Sequence, residues 1–448
     1  MFQTSIPVTA EAFHNRTHEL TRLADAIERL KQGAPAWVAV IGPRKIGKTS
    51  LVLEAARRAA TDDLAVVALD VQECASQPRE FFRLFALRVL DAALGQETGE
   101  SLERLAHAPS EFRRRLQGSQ RFHRLAPSLR AEILEVADAE PTATRAAAWL
   151  QLPEALAHAL DRRLIVAIDE FQELGALAAQ RKGLDPFPLL RSVWQKHRRC
   201  AYFVSGSARS MLLALVTAER SPFFQHFTVL DLGPFAQAEA VALLTRRGAA
   251  DAPISPGLAT RAVAVLGGNP FYLQLLGETL TANRRTPGLE DLKTALQELL
   301  FSRTGRLGLY FENEYNRLVG RATSLAATLD ALAAGPLRLS AIATRIQAAS
   351  GATVRYLERL QDAVVRREDG TYGLADATFG LWLRWRRPGG TVVPMTAGEN
   401  KDILPTTQKK RRAEERVYSS ATRCLPSIQQ GLKWFAITLE TRANTMPA

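Results

Sequence analysis

Four residues near the start of the chain have the types and spacing of a phosphate-binding loop. Gly42, Gly47, Lys48 and Thr49 satisfy the pattern G-x-x-x-x-G-K-[ST]. Glycines let the backbone turn tightly, so that its N–H groups point at phosphate oxygens. The lysine can reach the β- and γ-phosphates, and the threonine hydroxyl can ligate Mg²⁺. The pattern predicts a site for a nucleoside triphosphate.

The flanking residues predict the strand and the helix that such a loop requires. The apolar run 37–41 is rich in β-branched residues, which favours a buried parallel strand. Residues 50–60 are good helix formers, and a helix N-terminus adds partial positive charge. The predicted nucleotide-binding residues of the loop are Gly42, Pro43, Arg44, Lys45, Ile46, Gly47, Lys48, Thr49 and Ser50.

Two adjacent acids end another apolar run, LIVAIDEFQEL, at residues 164–174. Asp169 is predicted to hold Mg²⁺ together with Thr49, directly or through water. Glu170 is then placed to activate a water for attack on the γ-phosphate. Two acids can also end a strand for solubility alone, but their position after a phosphate-binding loop favours the catalytic interpretation.

A polar strand end follows in YFVSGSARS, residues 202–210. Ser205 or Ser207 could hydrogen-bond the γ-phosphate or the attacking water. The alternative is that these serines cap the helix that begins near Ala208. The predicted catalytic residues are Glu170, Asp169, Lys48 and Ser207.

The composition is that of a globular protein with excess positive charge. The 448 residues are 46% hydrophobic and 23% charged, and the net charge is +12. This balance permits an acidic partner such as nucleic acid but does not identify one.

The cysteines and the hydropathy pattern indicate a protein of the reducing cytoplasm. Cys74, Cys200 and Cys424 lie far apart, with no C-x-x-C, and no histidine neighbour at ligand spacing is expected. That argues against a disulfide framework or a zinc site. No apolar run reaches about 18 residues, and residues 1–16 lack the core of a signal peptide, so we expect no membrane partner.

The order of apolar runs predicts an α/β fold. Helical patterns separate five runs that read as strands of one mostly parallel sheet in a three-layer, doubly wound arrangement. The ATPase core is expected over residues 1–235, with an arginine-rich helical insertion at 95–140. The predicted strands are residues 36–41, 65–71, 164–168, 201–205 and 228–232.

Further domains are expected after residue 235. Residues 236–300 read as several helices of a small helical lid. Residues 301–387 hold three helices, a turn and short strands, the pattern of a winged helix-turn-helix domain. Residues 388–448 contain KKRRAEER and lose apolar periodicity, which predicts a basic, poorly ordered tail.

Over residues 13–385, these motifs resemble the archaeal-type ATPase family of the STAND/AAA+ P-loop ATPases. GPRKIGKTSL resembles the family's P-loop and AIDEFQEL its acidic motif. FHNRTHELTRL resembles the entry segment that packs near adenine in relatives, which implies that Arg16, with Glu19 and Leu20, borders the base. LGGNPFYLQLLG resembles the lid motif, which implies that Pro270 faces the nucleotide. By residue type, Gly267 and Gly268 are expected to form a flexible entry, and Asn269 is a favoured N-cap for the helix that begins at Pro270.

The resemblance implies ATP and Mg²⁺ as ligands, and slow hydrolysis that switches the lid and the winged helix between arrangements. Relatives read S-P-L-Y-G-R after the fourth strand, whereas residues 221–226 here read SPFFQH. A transition-state arginine would therefore come from elsewhere, with Arg209 and Arg220 nearby, or hydrolysis is slow.

Three functions stay open from the sequence. One is a regulatory ATPase whose output is an unidentified protein partner. Another is a DNA-associated ATPase that contacts duplex DNA through Arg355 and Arg359 of its winged helix. The third is a nucleotide-binding scaffold without turnover. A nucleotide-dependent homo-oligomer is compatible with each.

Overall fold

The computed structural model describes residues 2–74, 80–98, 101–175, 185–247 and 252–386. These residues form two compact units. The sheet unit comprises Ser5–Gly233, and the helical unit combines residues 2–4 with the described residues from Pro234 onward. The predicted basic tail at 388–448 lies outside the described residues.

Five parallel strands form the centre of the sheet unit, in the order β2-β3-β4-β1-β5. Each predicted run matches a strand to within one residue at either end. In the register, Asp70 is the partner of Asp169, and Ile41 is the partner of Gly206, so the carboxyl ends of the strands lie at one edge. The strands are β1 (Trp37–Ile41), β2 (Leu64–Asp70), β3 (Arg163–Asp169), β4 (Cys200–Gly206) and β5 (Phe227–Asp231).

Helices cover both faces of this sheet, which explains why every residue of β1 and β4 is buried. One face packs on the first two helices, with Leu23 and Leu51 in its core. The other face packs on later helices, and the arginine-rich insertion contributes Phe112 and Phe122 to that core. The helices are α1 (Thr17–Lys31), α2 (Lys48–Ala59), α3 (Phe81–Thr98), α4 (Leu102–Leu105), α5 (Pro109–Gln117), α6 (Gln120–His123), α7 (Pro127–Leu134), α8 (Ala143–Ala159), α9 (Pro186–Trp194) and α10 (Arg209–Thr217).

The helical unit continues the chain with helices and one antiparallel hairpin. The last three helices before the hairpin, together with the hairpin, have the element order expected for a winged helix. That assignment stays a prediction. The elements are α11 (Gln237–Arg247), α12 (Pro256–Leu266), α13 (Pro270–Thr281), α14 (Leu289–Phe301), α15 (Arg306–Val319), α16 (Thr323–Leu332), α17 (Leu339–Arg345), α18 (Ser350–Arg359), β6 (Val364–Arg366), β7 (Tyr372–Leu374) and α19 (Ala377–Arg386).

One hydrophobic core runs through the helical unit, across the predicted domain boundary at residue 300. The Tyr272 and Phe311 rings, one from each side of this boundary, are 5.4 Å apart between centroids. The Tyr272 hydroxyl donates to Asp376 at 2.7 Å, and both groups are buried. Elements from both sides of the boundary are therefore packed into one body, although the finer division into lid and winged helix stays a prediction.

The structure corrects the sequence analysis at Cys200, which has a histidine neighbour. His197 lies three residues before it, and the ligand atoms of Glu154, His197 and Cys200 all lie within 4.8 Å of one another. This H-x-x-C spacing is the signal in the sequence. The His197 ring nitrogen Nδ1 hydrogen-bonds the Tyr202 hydroxyl at 2.6 Å, and burial raises the pKa of the Cys200 thiol. The cluster lies at the amino end of β4, the opposite end from the P-loop.

None of the helices in the described part of the chain combines the length and the apolar character needed to span a bilayer.

Candidate nucleotide-binding and hydrolysis site

The P-loop lies between the end of β1 and the start of α2. Gly42 packs so closely on the end of β5 that an added Cβ would lie 2.5 Å from the Leu232 carbonyl oxygen. Gly47 has a φ of 101°, which favours glycine, and it is the N-cap of α2. These two positions explain why the loop needs glycine, and the helix start supplies the unpaired N–H donors of an anion site.

Lys48 is buried within the curve of this loop. Its ammonium donates to the Gly42 carbonyl at 3.2 Å and to the Pro43 carbonyl at 3.0 Å. Burial lowers the pKa of Lys48, while the negative charges of Asp169 and Glu170 act in the opposite direction. The predicted phosphate-binding lysine thus lies in the field of both predicted catalytic acids.

Asp169 joins three elements of the site. Its Oδ1 accepts from the Ser205 hydroxyl at 2.6 Å and from the Glu170 N–H at 3.0 Å. Its Oδ2 accepts a hydrogen bond from the Thr49 hydroxyl. A hydroxyl and a carboxylate in contact form an oxygen donor set of the kind that Mg²⁺ prefers. The side chains present therefore fit the predicted metal.

Glu170 is held by donors from two elements. Its backbone has a φ of 51°, an unusual value for a non-glycine residue, and this turn follows β3 directly. Its Oε2 accepts from the Ser207 N–H at 3.1 Å, the Ser207 hydroxyl at 2.9 Å and the Gln172 side-chain amide at 2.7 Å. Ser205 and Ser207 thus bind the two acids. The helix-capping alternative for them is wrong, because the N-cap of α10 is Ala208 and no side chain caps this helix.

Two residues of this edge were missed from the sequence. Asp70 ends β2 opposite Asp169, and burial, together with the charges of Asp169 and Glu170, raises its pKa. Gln172 donates to Glu170 as described. The sequence signal for Asp70 is a polar residue at the carboxyl end of the predicted strand 65–71, next to the strand that ends in the acidic pair.

Arg16 is buried and hydrogen-bonds the backbone of the P-loop. Its guanidinium donates to the Gly233 carbonyl at 2.7 Å and to the Ile46 carbonyl at 3.5 Å, and it pairs with Glu19 at 3.3 Å. Leu20 is part of the core. Arg16 thus ties the loop to the end of β5, and its predicted contact with the base stays a prediction.

Ser50 lies in the first turn of α2, and the remaining loop residues precede this helix. The Ser50 hydroxyl accepts from the Val8 N–H at 3.0 Å, so this side chain holds the N-terminal segment. Ile46 is buried, while Arg44 and Lys45 are more exposed. Of the two arginines considered for catalysis, Arg209 pairs with Asp231, and Arg220 is exposed.

Pro270 begins α13 in the helical unit. The Asn269 side chain accepts from the Phe271 N–H at 3.0 Å and caps this helix, as the sequence predicts. The expected flexibility of the preceding glycines is wrong at Gly268, where an added Cβ would lie 2.0 Å from the Phe235 carbonyl oxygen. This position is tightly packed. The predicted role of Pro270 toward the nucleotide stays a prediction.

Two family models match parts of the chain. Residues 12–199 match the family described as AAA ATPase domain, and residues 113–307 match Novel STAND NTPase 2. Together the two matches include the P-loop, the acidic motif and the segment containing Pro270. No curated protein matches the chain by sequence.

Solved structures with similar folds include the following two. The Walker-type ATPase of Pyrococcus abyssi is 19% identical, covers 86% of this chain and 99% of its own, and has a TM-score of 0.59. The ORC2 protein of Aeropyrum pernix, solved as ADPNP-ADP complexes, is 13% identical, covers 99% of this chain and 98% of its own, and has a TM-score of 0.57. At these identities the likeness concerns the fold.

Proposed function

Because the chain belongs to the AAA+ and STAND group of P-loop ATPases, we propose that it binds ATP with Mg²⁺ and hydrolyses ATP slowly to ADP and phosphate as a regulatory switch. The observation that carries this proposal is the Asp169 carboxylate, which bonds Thr49 of the P-loop and Ser205 of β4. It joins the P-loop, the acidic motif and the polar strand end at one edge of the sheet.

Each side chain has a role that follows from its contacts. The loop N–H groups and Lys48 bind the phosphates, and Lys48 exchanges its bonds to the two loop carbonyls for phosphate oxygens. Thr49 and Asp169 would hold Mg²⁺, and the bound ion would neutralise negative charge on the phosphates. Glu170 accepts the proton of the attacking water, and the Ser207 hydroxyl is a donor beside it.

The switch depends on a difference in affinity between nucleotide states. A ligand shifts a conformational equilibrium only if it binds one arrangement better than the other. The capped N-terminus of α13 favours negative charge, which ATP carries in excess of ADP. The shared core of the helical unit supports movement of its lid and hairpin elements as one body.

DNA association is the second candidate function, and the exposure of α18 favours it. Arg355 and Arg359 are both exposed and lie four residues apart, on the side of the helix away from the buried Thr353 and Leu357. The test is binding to random duplex DNA at several salt concentrations, with and without ATP. DNA binding that weakens steeply with salt and is lost in Arg355→Ala/Arg359→Ala would favour this function over a protein-directed switch.

The nucleotide site itself is tested by Lys48→Ala. Removing the ammonium should weaken ATP binding at least about 10-fold in a calorimetric titration, because a charge-assisted phosphate contact is lost. Lys31→Ala, at the end of α1, removes a partly exposed lysine of the same unit and serves as the control. Equal ATP affinity in folded Lys48→Ala and in the parent would refute the assignment of this loop.

A further inference from the structure

Gln172 is a buried amide with an asymmetric environment. It lies in a short 3-10 helix, Phe171–Leu174, and is 3% exposed. Its Nε2 donates to Glu170 Oε2 at 2.7 Å and to Glu173 Oε1 at 3.3 Å. Two carboxylates therefore fix which end of the amide faces the acidic motif, because a carbonyl oxygen in that place would be repelled.

The other end of this amide is buried without a hydrogen-bond partner among the described residues. Gln172 Oε1 is such an unsatisfied acceptor, and a buried unsatisfied acceptor destabilises the fold. A leucine of similar volume would avoid that cost. Packing therefore does not account for glutamine at this position, whereas the donor end does, because it reaches Glu170.

Gly206 allows the amide to occupy this place. The last residue of β4 lies against Gln172, and a Cβ on Gly206 would lie 2.0 Å from Gln172 Oε1. The amide is therefore wedged between the end of β4 and Glu170. Its position is set by the backbone of the strand that carries Ser205 and leads directly into Ser207.

The hydrogen bonds to the Glu170 carboxylate are unevenly divided. All three that it receives from described residues end on Oε2, and they come from Ser207 and Gln172. Oε1 is the oxygen left to accept a proton. We infer that Gln172 is a positioning residue for hydrolysis, which fixes Glu170 through Oε2 so that Oε1 is presented to the attacking water. This inference rests on the proposed function and names a determinant of its rate.

Two substitutions, one at Gln172 and one at its neighbour Gly206, test the positioning role of Gln172. Gln172→Leu removes the donor and fills the same volume. Gly206→Ala keeps Gln172 but displaces its amide. Both should lower kcat at least about 10-fold, since a positioned base contributes 10²–10⁴-fold, while KM and ATP affinity change less than about 2-fold. Gln195→Leu, an exposed amide of the same unit, is the matched control and should leave kcat unchanged.

A double-substitution cycle separates this role from a general structural one. If Gln172 acts through Glu170, adding Gln172→Leu to Glu170→Gln should cause no further loss of kcat. Parental kcat in Gln172→Leu, a matching loss of ATP affinity, or an additive loss in the Glu170→Gln background would each overturn the inference. Normal ATP binding with no turnover in the parent would instead refute the proposed hydrolysis, and the inference with it.

Discussion

Glu54 offers a test of how the N-terminal segment is held on the P-loop helix. The Glu54 side chain is completely buried in α2, and its carboxylate accepts from Arg57 at 2.8 Å, from Arg58 at 2.7 Å and from the Ala10 N–H at 2.8 Å. Glu54→Gln keeps the shape and removes the charge. The hydrogen bonds from Arg57, and then those from Arg58 and Ala10, lower the Glu54 pKa to about 2 despite burial.

The magnitude follows from this pKa. A fall from 4.5 to about 2 corresponds to about 3 kcal/mol at 1.36 kcal/mol per unit. Arg57 and Arg58 are 50% and 55% exposed, and solvent screening reduces the value to about 1–2 kcal/mol. Because the folded pKa lies below the unfolded one, this stability is present above pH 4.5 and is lost as the pH falls toward 2.

The assay is urea unfolding of the parent and of Glu54→Gln between pH 7 and pH 3. The variant should be less stable by about 1–2 kcal/mol at pH 7, and the difference should shrink below pH 4.5. Glu28→Gln removes an exposed ion pair with Lys31 and should cost less than about 0.5 kcal/mol. Equal stability of Glu54→Gln and Glu28→Gln, or a difference that persists undiminished to pH 3, would refute the reasoning.

Two further outcomes are expected. Gly42→Ala should lower ATP affinity at least about 10-fold, because the added Cβ would lie 2.5 Å from the Leu232 carbonyl and the loop must shift; calorimetry on a folded variant checks this, and parental affinity would contradict it. In Glu170→Gln, ATP should protect the amides of residues 266–385 from hydrogen exchange more than ADP does, with Lys48→Ala as the non-responding control; identical profiles in both nucleotides would argue against the switch.

The sheet and the position of its P-loop could be predicted from the sequence because both are local patterns. Short apolar runs alternate with helix formers, and the P-loop spacing fixes a strand, a turn and a helix start around Gly47 and Lys48. The acidic pair lies at the carboxyl end of β3, which β4 separates from the P-loop strand β1. The N-cap of α13 at Asn269 followed from residue type and the adjacent Pro270.

Features that depend on non-local packing could not be predicted in this way. The partners of Ser205 and Ser207 depend on β4 lying beside β3, which no short-range pattern specifies. Gln172 belongs to the acidic motif, and no short-range pattern gives it a separate role. Its contact with Gly206 joins residues 34 positions apart, so the sequence alone does not indicate it. Gly268 looked flexible by residue type, but its close contact with the Phe235 backbone makes it tightly packed.

The central claim is that this edge of the sheet hydrolyses ATP with Glu170 as the base. The most direct measurement is ATP affinity and steady-state phosphate release for the parent and for Glu170→Gln, with Glu28→Gln, an exposed acid of α1, as the control. We predict parental ATP affinity and a loss of turnover of roughly 10²-fold or more in Glu170→Gln, and parental turnover in Glu28→Gln. Parental turnover in Glu170→Gln would contradict the account.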